Sequence, residues 1–267
     1  MTHHAAALIQ NFISDTLAGD INNFRTFDFK SLKNSAKYGA PGENFDCDDT
    51  LLMRAIYTVL WGSEFPGLSM EQPTAGRRYR GDTMNSFHTM FGREIAGKPG
   101  FFAGVEKYAP SEEFRERVRR FGKLCSNLGN YILLPHWYAC GTTLNFYRGT
   151  NEWHDFFDRF LIELCKVLCN AEEQDERLIR LVEVNGFYFD QRKGEENFRK
   201  MVKTLFLEDY CGSDGMPRKL FPCNFHWRDT NDREQYFHDA NIYLDKTQSL
   251  ILSRCSKMIS ALDSALN

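Results

Sequence analysis

Phenylalanine most constrains what this chain can fold into. There are 23 Phe, with 11 Tyr and 4 Trp, so 14% of the 267 residues are aromatic. Each buried aromatic removes ~150–250 Å² from water, so a large core is available. Their spacing points to helices. Trp153, Phe156, Phe157, Phe160, Leu161, Leu164, Val167 and Leu168 recur on one helical face. Phe114, Val118 and Phe121 do the same behind the opening Ser111-Glu112-Glu113.

Read along its length, the chain alternates such stripes with Gly/Pro loops. Leu8, Ile9, Phe12, Ile13 and Leu17 predict a helix over 5–18, stopped by Gly19. Phe24 to Phe29 alternates and reads as extended. Asp48 or Asp49 is expected to cap a helix through Leu51, Ala55, Ile56 and Leu60. Asp82-Thr83 is expected to start another, with Met84, Phe87 and Phe91 inward. Residues 124–150 carry Gly129-Asn130, Pro135, Gly141 and Gly149 and read as broken into turns. Helical patterns follow over 152–169, 174–184, 195–209 and 231–266. The sum is about eight helices and no strand pair: a mainly α fold with a Phe-rich core, read as a single helical domain over 1–267.

Charge and composition bound the function classes. Lys plus Arg is 33 and Asp plus Glu is 36, a net charge of −3. That disfavours a globally basic nucleic-acid coat and an acidic disordered chain. No run nears the ~20 apolar residues that span a bilayer, and Met1-Thr2-His3-His4-Ala5 lacks the cationic start of a secretory signal. The eight cysteines are irregularly spaced and read as small core residues. The expectation is a cytoplasmic protein with no membrane association.

Three guanidiniums in Arg77-Arg78-Tyr79-Arg80-Gly81-Asp82-Thr83 precede the expected helix start. Free first-turn amides and the helix dipole favour an anion there, and Arg supplies forked donors for phosphate or carboxylate. Asn85, Ser86 and His88 would add polar contacts. In the counter-reading, Asp82 caps the helix itself and the arginines meet surface acids. The basic face of Arg115, Arg117, Arg119, Arg120 and Lys123 is offset by Glu112, Glu113 and Glu116 and reads as solvated. His154 with Asp158, and Glu234 with His238, are i, i+4 pairs without a matching second pair, so no metal site is assigned.

The Arg78–Phe87 stretch (YRGDTMNSF and its lead-in) and the segment Leu128-Gly129-Asn130-Tyr131-Ile132-Leu133-Leu134-Pro135, followed by Leu144-Asn145-Phe146-Tyr147-Arg148-Gly149, resemble an uncharacterised bacterial family of unknown function. That resemblance implies no activity. Gly129, Asn130, Leu133, Leu134, Leu144 and Asn145 are also similar to a segment of HNH-type restriction nucleases. Ser126 stands where those enzymes carry a His, so the match covers scaffold; Asn130 and Asn145 otherwise read as holding a loop by hydrogen bonds. Arg233 to His238, entering the last helix, is similar to the Arg-x4-6-His signature of HEPN ribonucleases, and Arg148 to His154 has the same form.

Three functions stay open at this stage. The preferred one is a binding protein holding a small anionic ligand or a nucleic-acid phosphate, with Arg78, Arg80, Asp82, Thr83, Asn85, Asn130, Asn145 and Arg148 as ligand-binding candidates. The second is a divergent metal-dependent or HEPN-like nuclease using His88, Arg233 or His238. The third is a structural partner-binding protein, marked by an exposed aromatic patch. No cofactor is named.

Overall fold

The structure, a computed structural model, describes residues 2–32, 34–39, 47–70, 78–86, 111–136, 143–144, 147–148, 156–221 and 233–267. Among them are eight α-helices and one two-stranded sheet. The helices are α1 (Thr2–Thr16), α2 (Leu51–Trp61), α3 (Glu112–Leu124), α4 (Phe157–Leu168), α5 (Glu176–Val184), α6 (Gly186–Phe189), α7 (Glu195–Thr204) and α8 (Arg233–Leu266). The strands are β1 (Tyr79–Thr83) and β2 (Tyr131–Pro135). Among the described residues, no helix is long and apolar enough to cross a membrane.

The aromatic stripes become the core. α1 turns Ala5, Ile9 and Phe12 inward, one per helical turn. Phe12 stacks on Phe24 at 5.7 Å, Phe24 on Phe29 at 5.8 Å, and Tyr38 meets Phe12 edge-on at 4.9 Å. This cluster explains why Phe24 to Phe29 is not extended as expected. Ile21–Arg25 and Phe29–Leu32 are 3-10 turns, which bring both rings to one side. The Asp20 carboxylate accepts the Asn22 amide and fixes the first turn.

α2 packs on α1 and α8. Its cap is Thr50, whose Oγ1 accepts the Met53 amide at 3.2 Å, rather than Asp48 or Asp49. Both aspartates are buried in the preceding 3-10 turn. Asp49 is taken by Arg54, whose Nε lies 3.1 Å from its Oδ1. Tyr57 donates to the Asp48 carbonyl at 3.0 Å. α3 starts at the Ser111 cap, as expected, and buries Phe114, Val118 and Phe121 against α8. Its basic face is largely matched: Arg115 and Arg119 pair with Glu112, Arg119 also with Glu116, and Arg117 with Asp245.

The main correction is at 79–83. The expected helix start at Asp82-Thr83 is a β-strand, paired antiparallel with β2 in the register Tyr79↔Pro135 to Thr83↔Tyr131. The same pairing corrects the reading of 124–150 as turns alone. All five β2 residues are buried, so Ile132-Leu133-Leu134 is the continuous apolar run of a fully covered strand. Residues 152–155 of the expected 152–169 helix lie outside the described residues; α4 begins at Phe157.

Candidate functional site

Four of the eight ligand-binding candidates, Asp82, Asn85, Asn130 and Arg148, meet in one buried polar layer at the end of β1. The Asp82 carboxylate is buried, and Arg148 is fully buried beside it. Arg148 donates to Asp82 Oδ2 from Nε, at 3.1 Å, and from Nη2. The same guanidinium donates to the Thr83 carbonyl and, at 3.1 Å, to that of Met84. Its central carbon lies over the rings of Phe157 and Phe160, 5.9 Å from each ring centre. Burial pushes the Asp82 carboxyl up, and the Arg148 charge opposes that shift.

Asn130 then carries the sheet past its last strand pair. Its backbone carbonyl accepts the Met84 amide at 2.8 Å. Its side-chain oxygen accepts the Asn85 amide at 3.0 Å, and its Nδ2 donates to the Asn85 and Cys125 carbonyls at 2.7 and 3.0 Å. Asn85 Nδ2 donates to the Tyr210 hydroxyl at 2.5 Å, and Tyr243 of α8 donates to the Ser86 carbonyl. Through these bonds Asn130 holds a loop in place, the counter-reading to its place among the ligand-binding candidates.

Two glycines admit this layer. A Cβ on Gly81 would lie 2.0 Å from the Asp48 carbonyl oxygen, and one on Gly129 would lie 2.0 Å from that of Ile251 in α8. Above Gly129, Arg254 of α8 donates to the carbonyls of Leu205 at 3.0 Å, Gly129 at 2.9 Å and Tyr131 at 2.5 Å. Burial draws the Arg254 guanidinium down to about 10. Asn85 Oδ1 and Arg254 Nη2 have no hydrogen-bond partner among the described residues.

The other candidates disperse. Arg78 is exposed, its guanidinium 5.5 Å from the centre of the Phe187 ring. Arg80 and Thr83 are half-buried on β1. With Tyr79–Thr83 a strand, Asp82-Thr83 do not start a helix, and that premise of the expected anion site falls. His88 and Asn145 lie outside the described residues, as does the side chain of Arg233. His238 is exposed on α8. Among the described residues, no three His, Cys, Asp or Glu side chains gather as a metal would require. The Sγ atoms of Cys165 and Cys169 are 3.8 Å apart, and burial pushes both thiols up. The only exposed large hydrophobic among the described residues is Val184, so they present no aromatic patch.

A second feature was not anticipated. A cleft of about 480 Å³ lies between the segment 209–220 and the middle of α8. Leu220 and Leu250 give it an apolar side, and Ser249 a hydroxyl. Arg218, Lys219 and Lys246 line it with Asp209 and Asp245. Both acids are engaged from outside the lining. Asp209 Oδ2 accepts Ser253 at 2.7 Å and Lys257 at 3.0 Å, and Asp245 accepts Arg117 of α3. Burial raises the Asp209 carboxyl, but the Ser253 and Lys257 bonds outweigh it and hold the group below its ordinary value. The side chains of Arg218 and Lys219 are exposed and have no partner among the described residues. Leu220 is fixed at both ends: its amide donates to Asp158 Oδ2 at 2.6 Å, and its carbonyl accepts Lys246 at 2.8 Å. The adjacent basic pair Arg218-Lys219 in a Gly/Pro loop was the signal in the sequence. Lys246, on the outer face of a long helix, gave none.

No family model matches the sequence, and neither the curated proteins nor the solved structures give a match.

Proposed function

We propose that this chain is a binding protein for a small anionic molecule, taken in the cleft between the segment 209–220 and α8. One observation carries the reading. Among the described residues three cations line the cleft, and each of the two acids there already has a cationic partner outside the lining. The cleft therefore presents net positive charge to whatever enters it. Its volume, about 480 Å³, lies in the range of ligand pockets, ~300–1,000 Å³. The reading keeps the anionic ligand expected from the sequence and moves its site from residues 78–88. Asp82, Asn85, Asn130 and Arg148 become the scaffold that holds β1, β2 and α8 together. Cys165, Cys211 and Cys255, buried as small apolar groups, support a reducing intracellular setting.

The test is thermal unfolding in chloride, sulfate, phosphate and citrate at constant ionic strength. A ligand at ~100 times its Kd adds ~2.7 kcal/mol to stability, a rise of about 5 °C for a chain of this size. The rise should vanish in the Arg218→Ala/Lys219→Ala double variant, whose exposed side chains support no packing. The same rise in that variant, or no rise with any multivalent anion, would refute the reading.

A further inference from the structure

Resting on that reading of the cleft, we infer that its ligand is the dianion of a phosphate monoester, with the organic group of the ester lying on Leu220 and Leu250.

Charge is the first argument. With Asp245 engaged by Arg117, and Asp209 sharing Lys257 with Glu208, the charges of Arg218, Lys219 and Lys246 still outweigh those of the acids among the described residues around the cleft. A carboxylate would meet that cluster with one negative charge. A phosphate monoester brings ~1.5–2 at neutral pH, with three acceptor oxygens. Donor geometry agrees. Arg218 offers a planar fork that engages two phosphate oxygens at once. Lys246 spends one of its three N–H donors on the Leu220 carbonyl and keeps two. The double anchoring of Leu220, by Asp158 on its amide and Lys246 on its carbonyl, keeps the Arg218-Lys219 pair beside the cleft.

Shape is the second argument. A bare oxyanion leaves most of 480 Å³ unfilled, and two leucines offer it nothing. An organic group on one phosphate oxygen would cover them and strengthen binding by removing apolar surface from water.

Ionisation separates this ligand class from other anions. The charged groups facing the cleft are Arg218, Lys219 and Lys246, with Asp209 and Asp245; behind them stand Arg117 from α3, and Lys257 and Glu208 beside Asp209. Among the described residues, no histidine lines it. The second proton of a phosphate monoester leaves near pH ~6. Selection of the dianion therefore makes affinity rise as that proton is lost.

The experiment is calorimetric titration of the full chain with phenyl phosphate, inorganic phosphate, inorganic sulfate and benzoate at pH 5.0 and pH 7.5. About one-tenth of phenyl phosphate is dianion at the lower pH and nearly all at the higher, so its Kd should fall about tenfold. Sulfate, a dianion at both, should bind with little change. Phenyl phosphate should bind more tightly than inorganic phosphate, and benzoate least. Phenyl phosphate binding that ignores pH, or benzoate binding as tightly, would overturn the phosphate assignment and leave the anion site standing. Inorganic phosphate binding as tightly as phenyl phosphate would overturn the ester. No binding of any of the four would end both readings.

Discussion

Replacing Arg148 by Met tests whether the buried layer is scaffold. The substitution keeps an unbranched side chain over Phe157 and Phe160 but removes every donor. Asp82 Oδ2 loses both N–H bonds, and the carbonyls of Thr83 and Met84 lose one each. The dominant cost is the Asp82 carboxylate, left buried without its cation. Breaking such a pair from one side costs ~3–5 kcal/mol. Against a typical stability of ~5–15 kcal/mol, the protein stays folded but weakened. In urea, with a slope of about 3 kcal/mol per molar, the midpoint should fall by about 1–1.7 M with the slope unchanged. Asp82→Asn added to Arg148→Met removes the stranded charge. The double variant should therefore be more stable than the sum of the two single losses allows, by ~1–3 kcal/mol of coupling. A midpoint shift below about 0.3 M for Arg148→Met, or strictly additive losses, would refute the argument. Arg148 would then belong with groups kept for a ligand rather than for the fold.

Two further outcomes follow from the geometry. Gly129→Ala puts a Cβ 2.0 Å from the Ile251 carbonyl, where backbone must move. It should cost ~1–3 kcal/mol or more, read as a drop in Tm of several degrees; an unchanged Tm would mean that α8 does not lie so close. Asp158 is buried, which raises its carboxyl although the Leu220 and Phe221 amides donate to it. A raised native value means that its contribution is most favourable below the unfolded value of 3.8 and is lost as pH climbs through the native one. The stability of the wild type relative to Asp158→Asn should therefore decline as pH rises above 3.8 in urea unfolding. A difference that holds steady or grows would contradict the burial argument.

What could be read in the sequence was what local periodicity decides. α1, α3 with its Ser111 cap, and the long α8 all follow from apolar residues three and four apart. The β1–β2 pair could not be read this way. Asp82-Thr83 has the chemistry of a helix cap, and only a partner strand lying beyond α3 turns those residues into a ladder. The Thr50 cap was hidden among three consecutive capping residues. Asp49 is withdrawn by Arg54, and the Asp48 backbone by Tyr57, contacts that reach into the next turns of α2. Arg254 did leave a trace. It sits in the stripe Ile251, Cys255, Met258, an arginine where the helical face is otherwise apolar, and it is 1% exposed. The cleft is the least legible feature, because its cations come from a loop and from an outward face of α8 that meet only in the folded chain.

The bonds of Arg254 also set a clock on the folding of the newborn chain. The carbonyls of Gly129 and Tyr131 receive their donor from a residue 125 and 123 positions downstream. At a synthesis rate of about 5–20 residues per second, those groups wait roughly 6–25 s for it. Until then the turn before β2 has no lid, and its oxygens stay with water. The amino-terminal aromatic cluster can gather while translation continues, but the sheet can settle only after the last helix has been made.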